Sequence, residues 1–188
     1  MDNIFIEQLK KYGRMTPEAE QDLLGMVHKV HKKKGEQIVR QQQVATSFYI
    51  IEKGLVRSYN VINNKENTIW FAYEGQIAVS VAGLFEGKPS RETVECLEDC
   101  ALFGIAVKDL QLLFERYNCM NTIGRKMMEE YCGILDDRAY MLQVMSATER
   151  YKDLMENEPE IVKRAPLSNI ASFLGISQET LSRIRHNW

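Results

Sequence analysis

Residues 167–186 read LSNIASFLGISQETLSRIRH. Ile170, Ala171 and Leu174 recur at helical spacing, and Leu181 and Ile184 do so again further on. Between the two runs stands Gly175, which can take the positive φ of a tight turn without a Cβ penalty. Ser177 then stands where an N-cap is needed for the second helix. Ala171 is small enough to let the two helices approach closely. The spacing predicts a helix-turn-helix.

The outer face of the second predicted helix carries Gln178, Glu179, Ser182 and Arg183, with Arg185 and His186 beyond. Glu179 and Arg183 are one turn apart and so are neighbours in space. An arginine can bond guanine O6 and N7 bidentately, and a glutamate can accept from cytosine N4. The plainer reading is a surface ion pair, and the two readings are compatible. Ser168 and Asn169, near the start of the first helix, are placed to contact phosphates, and Ser177 joins the same surface. From residue 161 onward Lys163, Arg164, Arg183 and Arg185 face only Glu179, a net charge of +3 in a chain whose total is −2. Positive charge therefore collects where double-stranded DNA would need it.

Upstream, from Ser146, the sequence SATE matches a capping box, and Tyr151, Leu154 and Met155 give the helix after it a buried face. From Asn118 to Met145 there is no proline, and apolar residues recur at spacings of three and four. This predicts a rod of about 40 Å. Ile123, Met127, Tyr131, Ile134, Met141 and Met145 form one line, a seam for a second copy of the chain. Arg138 interrupts it and needs a partner, expected at Asp136, Asp137 or an acidic residue of the other subunit.

Residues 28–105 change character. Short β-rich runs (QIV at 37–39, FYII at 48–51, LVRSYNV at 55–61, TIWFAY at 68–73) are punctuated by Gly35, Gly54, Asn63-Asn64, Gly75, Gly83 and Gly87. Such spacing predicts an all-β sandwich or barrel, although Leu55–Val61 leaves its inward face ambiguous. The lysine-rich HKVHKKK at 28–34 reads as a solvated strand edge. Two short helices precede it. The first has Ile4, Ile6 and Leu9 on its apolar side. The second opens at Thr16-Pro17 and buries Leu23, Leu24 and Val27.

The chain has 188 residues, 45% hydrophobic and 27% charged, which excludes disordered, fibrous and membrane-embedded classes. No long apolar run predicts a membrane span, and the N-terminus does not read as a signal peptide. A cytoplasmic protein with no membrane partner is expected. Cys96, Cys100, Cys119 and Cys132 are then expected as free thiols. Cys96 and Cys100 lack a nearby histidine to complete a metal site, so no metal is expected.

With these motifs assembled, the chain resembles the Crp/Fnr family of bacterial transcription regulators over nearly its whole length. KKGEQIV (33–39), FYIIEKGLVRSY (48–59) and YEGQ (73–76) look like the glycine-marked segments of a cyclic-nucleotide-binding roll, and ETLSRIR (179–185) resembles the family's recognition helix. The resemblance implies an α+β fold in three parts. Residues 1–117 would form an effector-sensing β-roll (a double-stranded β-helix, or jelly roll) with flanking helices. Residues 118–145 would form a long dimerisation helix, and 146–188 a helix-turn-helix domain. Winged members continue into a β-hairpin, whereas this sequence stops at Trp188, so no full wing is expected. The resemblance also implies that Glu179, Ser182 and Arg183 read bases, with a half-site resembling TTGA.

In relatives that bind cyclic AMP, a carboxylate holds the ribose and an arginine pairs the cyclic phosphate. Gapless alignment places Ser80 and Ser90 at those positions. Arg91 is one residue further on and so points to the other face of a strand. Leu135 and Asp136 fall where the long helix would meet the base. Cyclic AMP is therefore not expected, and no other cofactor is indicated. The leading expectation is a DNA-binding regulator that acts as a homodimer on a pseudo-palindromic site and is modulated by an unidentified small effector other than cyclic AMP, with RNA polymerase as a further partner if it activates. The alternative is a sensor acting through protein contacts. No catalytic set, P-loop or G-x-G-x-x-G supports an enzyme.

Overall fold

The computed structural model describes residues 3–186. Two helices come first, α1 (Ile4–Lys10) and α2 (Pro17–Met26). Asn3 caps α1, and the Thr16 hydroxyl caps α2 by accepting from the Ala19 N–H at 3.2 Å. Then follow β1 (His28–Lys32), β2 (Gln37–Val39), β3 (Ser47–Lys53), β4 (Val56–Ile62), β5 (Lys65–Ala72) and β6 (Ile77–Ala78). After α3 (Val81–Glu86) come β7 (Thr93–Cys96) and β8 (Cys100–Ala106). The remainder is helical: α4 (Val107–Arg116), α5 (Asn118–Val144), α6 (Ala147–Asn157), α7 (Pro159–Arg164), α8 (Leu167–Phe173) and α9 (Gln178–His186).

The strands form two antiparallel sheets, ordered β1-β8-β3-β6 and β2-β7-β4-β5. Asn63 and Asn64 both take positive φ, 52° and 60°, which turns β4 tightly into β5. The lysine-rich β1 is an edge strand, paired with β8 alone. Its charges suit an edge that must not recruit another strand.

Three apolar cores lie in layers. Phe5, Leu23, Phe48, Ile105, Leu113 and Ile123 fill the space between the first sheet and the helices around it. Ile51, Val56, Ala72, Val94, Cys96, Cys100 and Leu102 fill the space between the sheets. Leu55, Phe71 and Leu97 join Tyr151, Leu154, Ile161, Ile170, Leu174 and Leu181 on the outer side of the second sheet. The C-terminal helices are thus packed on the β-roll of their own chain.

Several details correct the sequence reading. Leu24 is exposed, and Leu23 with Ala19 forms the buried side of α2. Phe5, not Ile4, is buried with Ile6 and Leu9 in α1. In β4, Val56 faces the roll interior, while Arg57 bonds outward to α8. Ile123 and Met127 belong to the first core rather than to an open seam, because the start of α5 packs on its own roll. Among the described residues of its own chain Arg138 pairs with neither Asp136 nor Asp137. Its guanidinium stacks on the Phe173 ring at 3.9 Å and donates to the Phe173 carbonyl. Burial, with Arg150 nearby, lowers its pKa to about 10.

Candidate functional site

Ser146 breaks the chain between α5 and α6. Its hydroxyl accepts from the Glu149 N–H at 3.3 Å, and its own N–H donates to the Glu149 carboxylate at 2.7 Å. The same local logic starts α9: the Ser177 hydroxyl accepts from the Thr180 N–H at 3.1 Å. Gly175 turns α8 into α9 at a φ of 68°. Ile170, Ala171, Leu174 and Leu181 are buried between these helices and the rest of the unit.

This packing leaves the polar side of α9 outward. Gln178, Glu179, Ser182, Arg183, Arg185 and His186 are exposed, as are Ser168 and Ser177. Leu167, Gln178, Glu179, Ser182, Arg183 and His186 line one shallow depression of about 690 Å³. Arg183 donates to the Thr180 hydroxyl at 3.3 Å. The Glu179 carboxyl is held below its ordinary pKa by its own backbone N–H, the Ser177 hydroxyl and the Arg183 charge. The helix surface therefore presents an ionised acceptor and a guanidinium one turn apart.

Asn169 stands apart from this group. Its side-chain oxygen accepts from Arg57 Nη1 at 3.0 Å. Arg57, the one buried arginine among the described residues, also donates to Glu95 at 2.7 Å and to Glu66, and stacks on Tyr59 at 4.2 Å. Further links hold the helices to the roll. The Ser172 hydroxyl accepts from the Thr68 N–H at 2.9 Å, and Phe173 meets Phe71 edge to face. Arg164 bonds both Glu74 and Glu98, with distances of 2.7–3.0 Å. A phosphate would meet Asn169 only through its amide donors.

The roll interior differs from the expected effector site. Ser80 and Ser90 are buried, but Ser90 is occupied locally, donating to the Glu92 carbonyl at 2.7 Å and accepting from the Glu92 N–H at 3.1 Å. Arg91 is exposed between these neighbours. Leu135 and Asp136 are exposed on α5. A half-buried carboxylate, Glu92, joins the two serines, accepting from the Ser58 hydroxyl and from Trp70 Nε1 at 3.1 Å. Burial raises its pKa above the ordinary value. Tyr131 of α5 lies close enough for burial and the Glu92 charge to raise its own pKa. The sequence reading passed over Glu92, which lies in the bend just before β7 (Thr93–Cys96), where no strand alternation marks its direction.

The second half of α5 carries the open apolar surface. Ile134, Leu135, Tyr140, Leu142 and Val144 are all exposed, while Met141 is buried. Of the line Ile123, Met127, Tyr131, Ile134, Arg138, Met141 and Met145 expected to meet a second copy, only Ile134 is a large exposed hydrophobic, and Ile123 and Met141 are buried within their own chain.

Residues 29–117 match the cyclic nucleotide-binding domain family. This segment is similar to cyclic nucleotide-binding domains in sequence and has their fold. No curated protein sequence matches the chain. Among solved structures, FixK2 from Bradyrhizobium japonicum is 22% identical, with a TM-score of 0.69 over 86% of this chain and 83% of its own. The c-di-GMP responsive global regulator CLP of Xanthomonas campestris is 17% identical, with a TM-score of 0.68 over 92% and 91%. A Crp/Fnr-family transcriptional regulator of Eubacterium rectale is 15% identical, with a TM-score of 0.74 over 92% and 83%. The chain has the Crp/Fnr fold, from the cyclic nucleotide-binding domain through the C-terminal helices. The expectation of a wing or its lack falls at Asn187 and Trp188, outside the described residues. Among the described residues no helix is long and apolar enough to cross a membrane.

A cyclic phosphate is a poor fit to this cyclic nucleotide-binding domain. Among the described residues its one buried arginine, Arg57, is turned outward to α8, and the half-buried Glu92 brings a carboxyl group to the interior. Bringing a phosphate beside Glu92 would set two like charges together in a poorly solvated interior.

Proposed function

We propose that this protein is a DNA-binding transcription regulator that acts as a homodimer in the cytoplasm. One observation carries the reading: α9 buries Leu181 and turns Gln178, Glu179, Ser182 and Arg183 outward together along one exposed depression. A helix about 10–12 Å across fits the major groove, and this set can read donors and acceptors there. Arg183 would take a guanine and Glu179 a cytosine. Ser177, Ser168 and Arg185 would meet phosphates.

Two copies would meet along the exposed stretch Ile134–Val144 of α5, placing two recognition helices in successive grooves of a pseudo-palindrome. The effector, if one binds the roll, is not cyclic AMP. The Glu92 carboxylate favours a neutral or cationic ligand that donates hydrogen bonds.

Selection of bound duplexes from random DNA at a fixed salt concentration tests the proposal. Enrichment of a two-fold sequence with half-sites about 10 base pairs apart supports it. Recovery of DNA with no enriched sequence contradicts it.

A further inference from the structure

Strand β4 pairs with β7 in unbroken register from Val56↔Cys96 to Tyr59↔Thr93. Its side chains therefore alternate regularly, and Val56, Ser58 and Asn60 share the face turned into the roll. Val56 belongs to the core between the sheets, and the Ser58 hydroxyl bonds Glu92. Asn60 comes next along that face. Its side-chain oxygen is buried and accepts from nothing among the described residues. Trp70 of β5 packs against the same core and donates from Nε1 to Glu92 at 3.1 Å.

The bonds at Glu92 are one-sided. Ser58 and Trp70 both donate to Oε2, and among the described residues nothing donates to Oε1 and no cationic side chain pairs with the carboxylate. Arg57, one residue before Ser58, is held on the opposite face of β4 by Glu66 and Glu95. The roll interior thus offers two acceptors without donors, one of them on a charged group, beside an indole. Buried polar atoms are nearly always paired, so such acceptors point to the chemistry that would complete them. A neutral donor such as an alcohol would leave the charge uncompensated. A metal ion would require more ligands, and no group of three His, Cys, Asp or Glu side chains comes together among the described residues. An ammonium group supplies both the charge and several N–H donors. It is also attracted to the face of an indole.

We propose that the roll binds a small-molecule ammonium ion at Glu92, Asn60 and Trp70. Its N–H groups donate to Glu92 Oε1 and Asn60 Oδ1, and the adjoining methylenes lie on the Trp70 ring. This rests on reading the roll as the ligand-binding half of a regulator, and it adds the ligand class. The sign of the charge separates such a ligand from a cyclic nucleotide. The same strand carries Arg57 to α8, so the site adjoins the contact with the C-terminal helices.

The test uses the full chain with Trp188→Phe, which leaves Trp70 as its one tryptophan. The chain is titrated without DNA, at constant ionic strength, with n-butylammonium and with butan-1-ol and butyrate as its neutral and anionic counterparts. Butylammonium should change the Trp70 fluorescence saturably, and the other two should bind more weakly by about tenfold or more. Glu92→Gln keeps an acceptor for Ser58 and Trp70 and removes the charge. It should weaken butylammonium binding by about tenfold or more, with an unchanged circular dichroism spectrum. The comparison with butan-1-ol needs no change at the site and decides the matter even where Glu92→Gln fails to fold. No saturable change with butylammonium, equal binding of butan-1-ol, or unchanged affinity in a folded Glu92→Gln chain overturns the proposal. No duplex is present in the titration, so its failure leaves the DNA-binding reading standing, and failure of the duplex selection leaves this site standing.

Discussion

Arg57 Nη1 of the β-roll lies 3.0 Å from Asn169 Oδ1 of α8, although 112 residues separate them in sequence. The next residue along β4, Ser58, faces the other way and bonds Glu92 inside the roll. Adjacent positions on one strand thus touch the roll interior and the C-terminal helices. A change at Glu92 that moves β4 would reach α8 through Arg57.

Removal of this guanidinium strands its partners. Glu95 retains only 17% side-chain exposure, so Arg57→Ala is expected to cost about 3 kcal/mol, as for a broken buried ion pair. Asn169→Ala should cost about 1 kcal/mol, the value of one hydrogen bond. Because the residues touch, the double variant should lose less than the two singles together, by about 0.5–1 kcal/mol. Urea denaturation of the four chains measures the coupling.

The exposed end of α5 is expected to hold the second copy. Tyr140 and Val144 are one turn apart, at 60% and 61% exposure. Glutamates at both positions would be solvated in a monomer and buried in a dimer. A fully buried large apolar side chain contributes about 1.5–3 kcal/mol. The double variant Tyr140→Glu/Val144→Glu should therefore weaken association by at least about a hundredfold, with an unchanged circular dichroism spectrum. Sedimentation should show a dimer for the parent and a monomer for the variant.

Glu74 makes the interdomain contact sensitive to acid. Burial opposes its ionisation, but the Arg164 guanidinium and the Gly54 N–H overcome this and hold its pKa at about 2, against an ordinary 4.5. A carboxylate with a lowered folded pKa adds stability above its unfolded pKa and loses it as pH falls through the folded one. The stability difference between the parent and Glu74→Gln should be constant above about pH 4.5 and shrink toward pH 2. Urea midpoints for both chains across that range follow the difference.

Ser177 closes the start of α9 with its hydroxyl. Ser177→Ala should cost about 1 kcal/mol of stability through the lost cap. It should weaken DNA binding evenly across sequences, since the cap positions the helix without touching a base edge. Thermal melts and binding titrations on two unrelated duplexes check both effects.

Local chemistry made α9 legible in the sequence. Leu181 and Ile184 mark its buried side, Gly175 its turn and Ser177 its cap, and all lie within a few residues of one another. The strands of the roll were visible for the same reason, through β-rich runs ended by glycines and Asn63-Asn64. The interior was read less well. Family positions draw attention to Ser80, Ser90 and Arg91, while nothing local in the sequence marks Glu92 as the residue that bonds Ser58 and Trp70 inside the roll. The Arg57–Asn169 and Arg138–Phe173 contacts join distant segments, and no local pattern announces them. The face of α5 used by its own roll was hidden likewise, because an apolar stripe does not state what covers it.

Fluorescence anisotropy on a selected pseudo-palindromic duplex and its scrambled counterpart, at one salt concentration, tests the central reading most directly. The parent should prefer the selected duplex by about a thousandfold or more, as specific regulators do. Arg183→Ala should lose that preference while keeping the weak, salt-sensitive binding common to both. Equal binding of the two duplexes by the parent, or a preference that survives Arg183→Ala undiminished, would contradict the account.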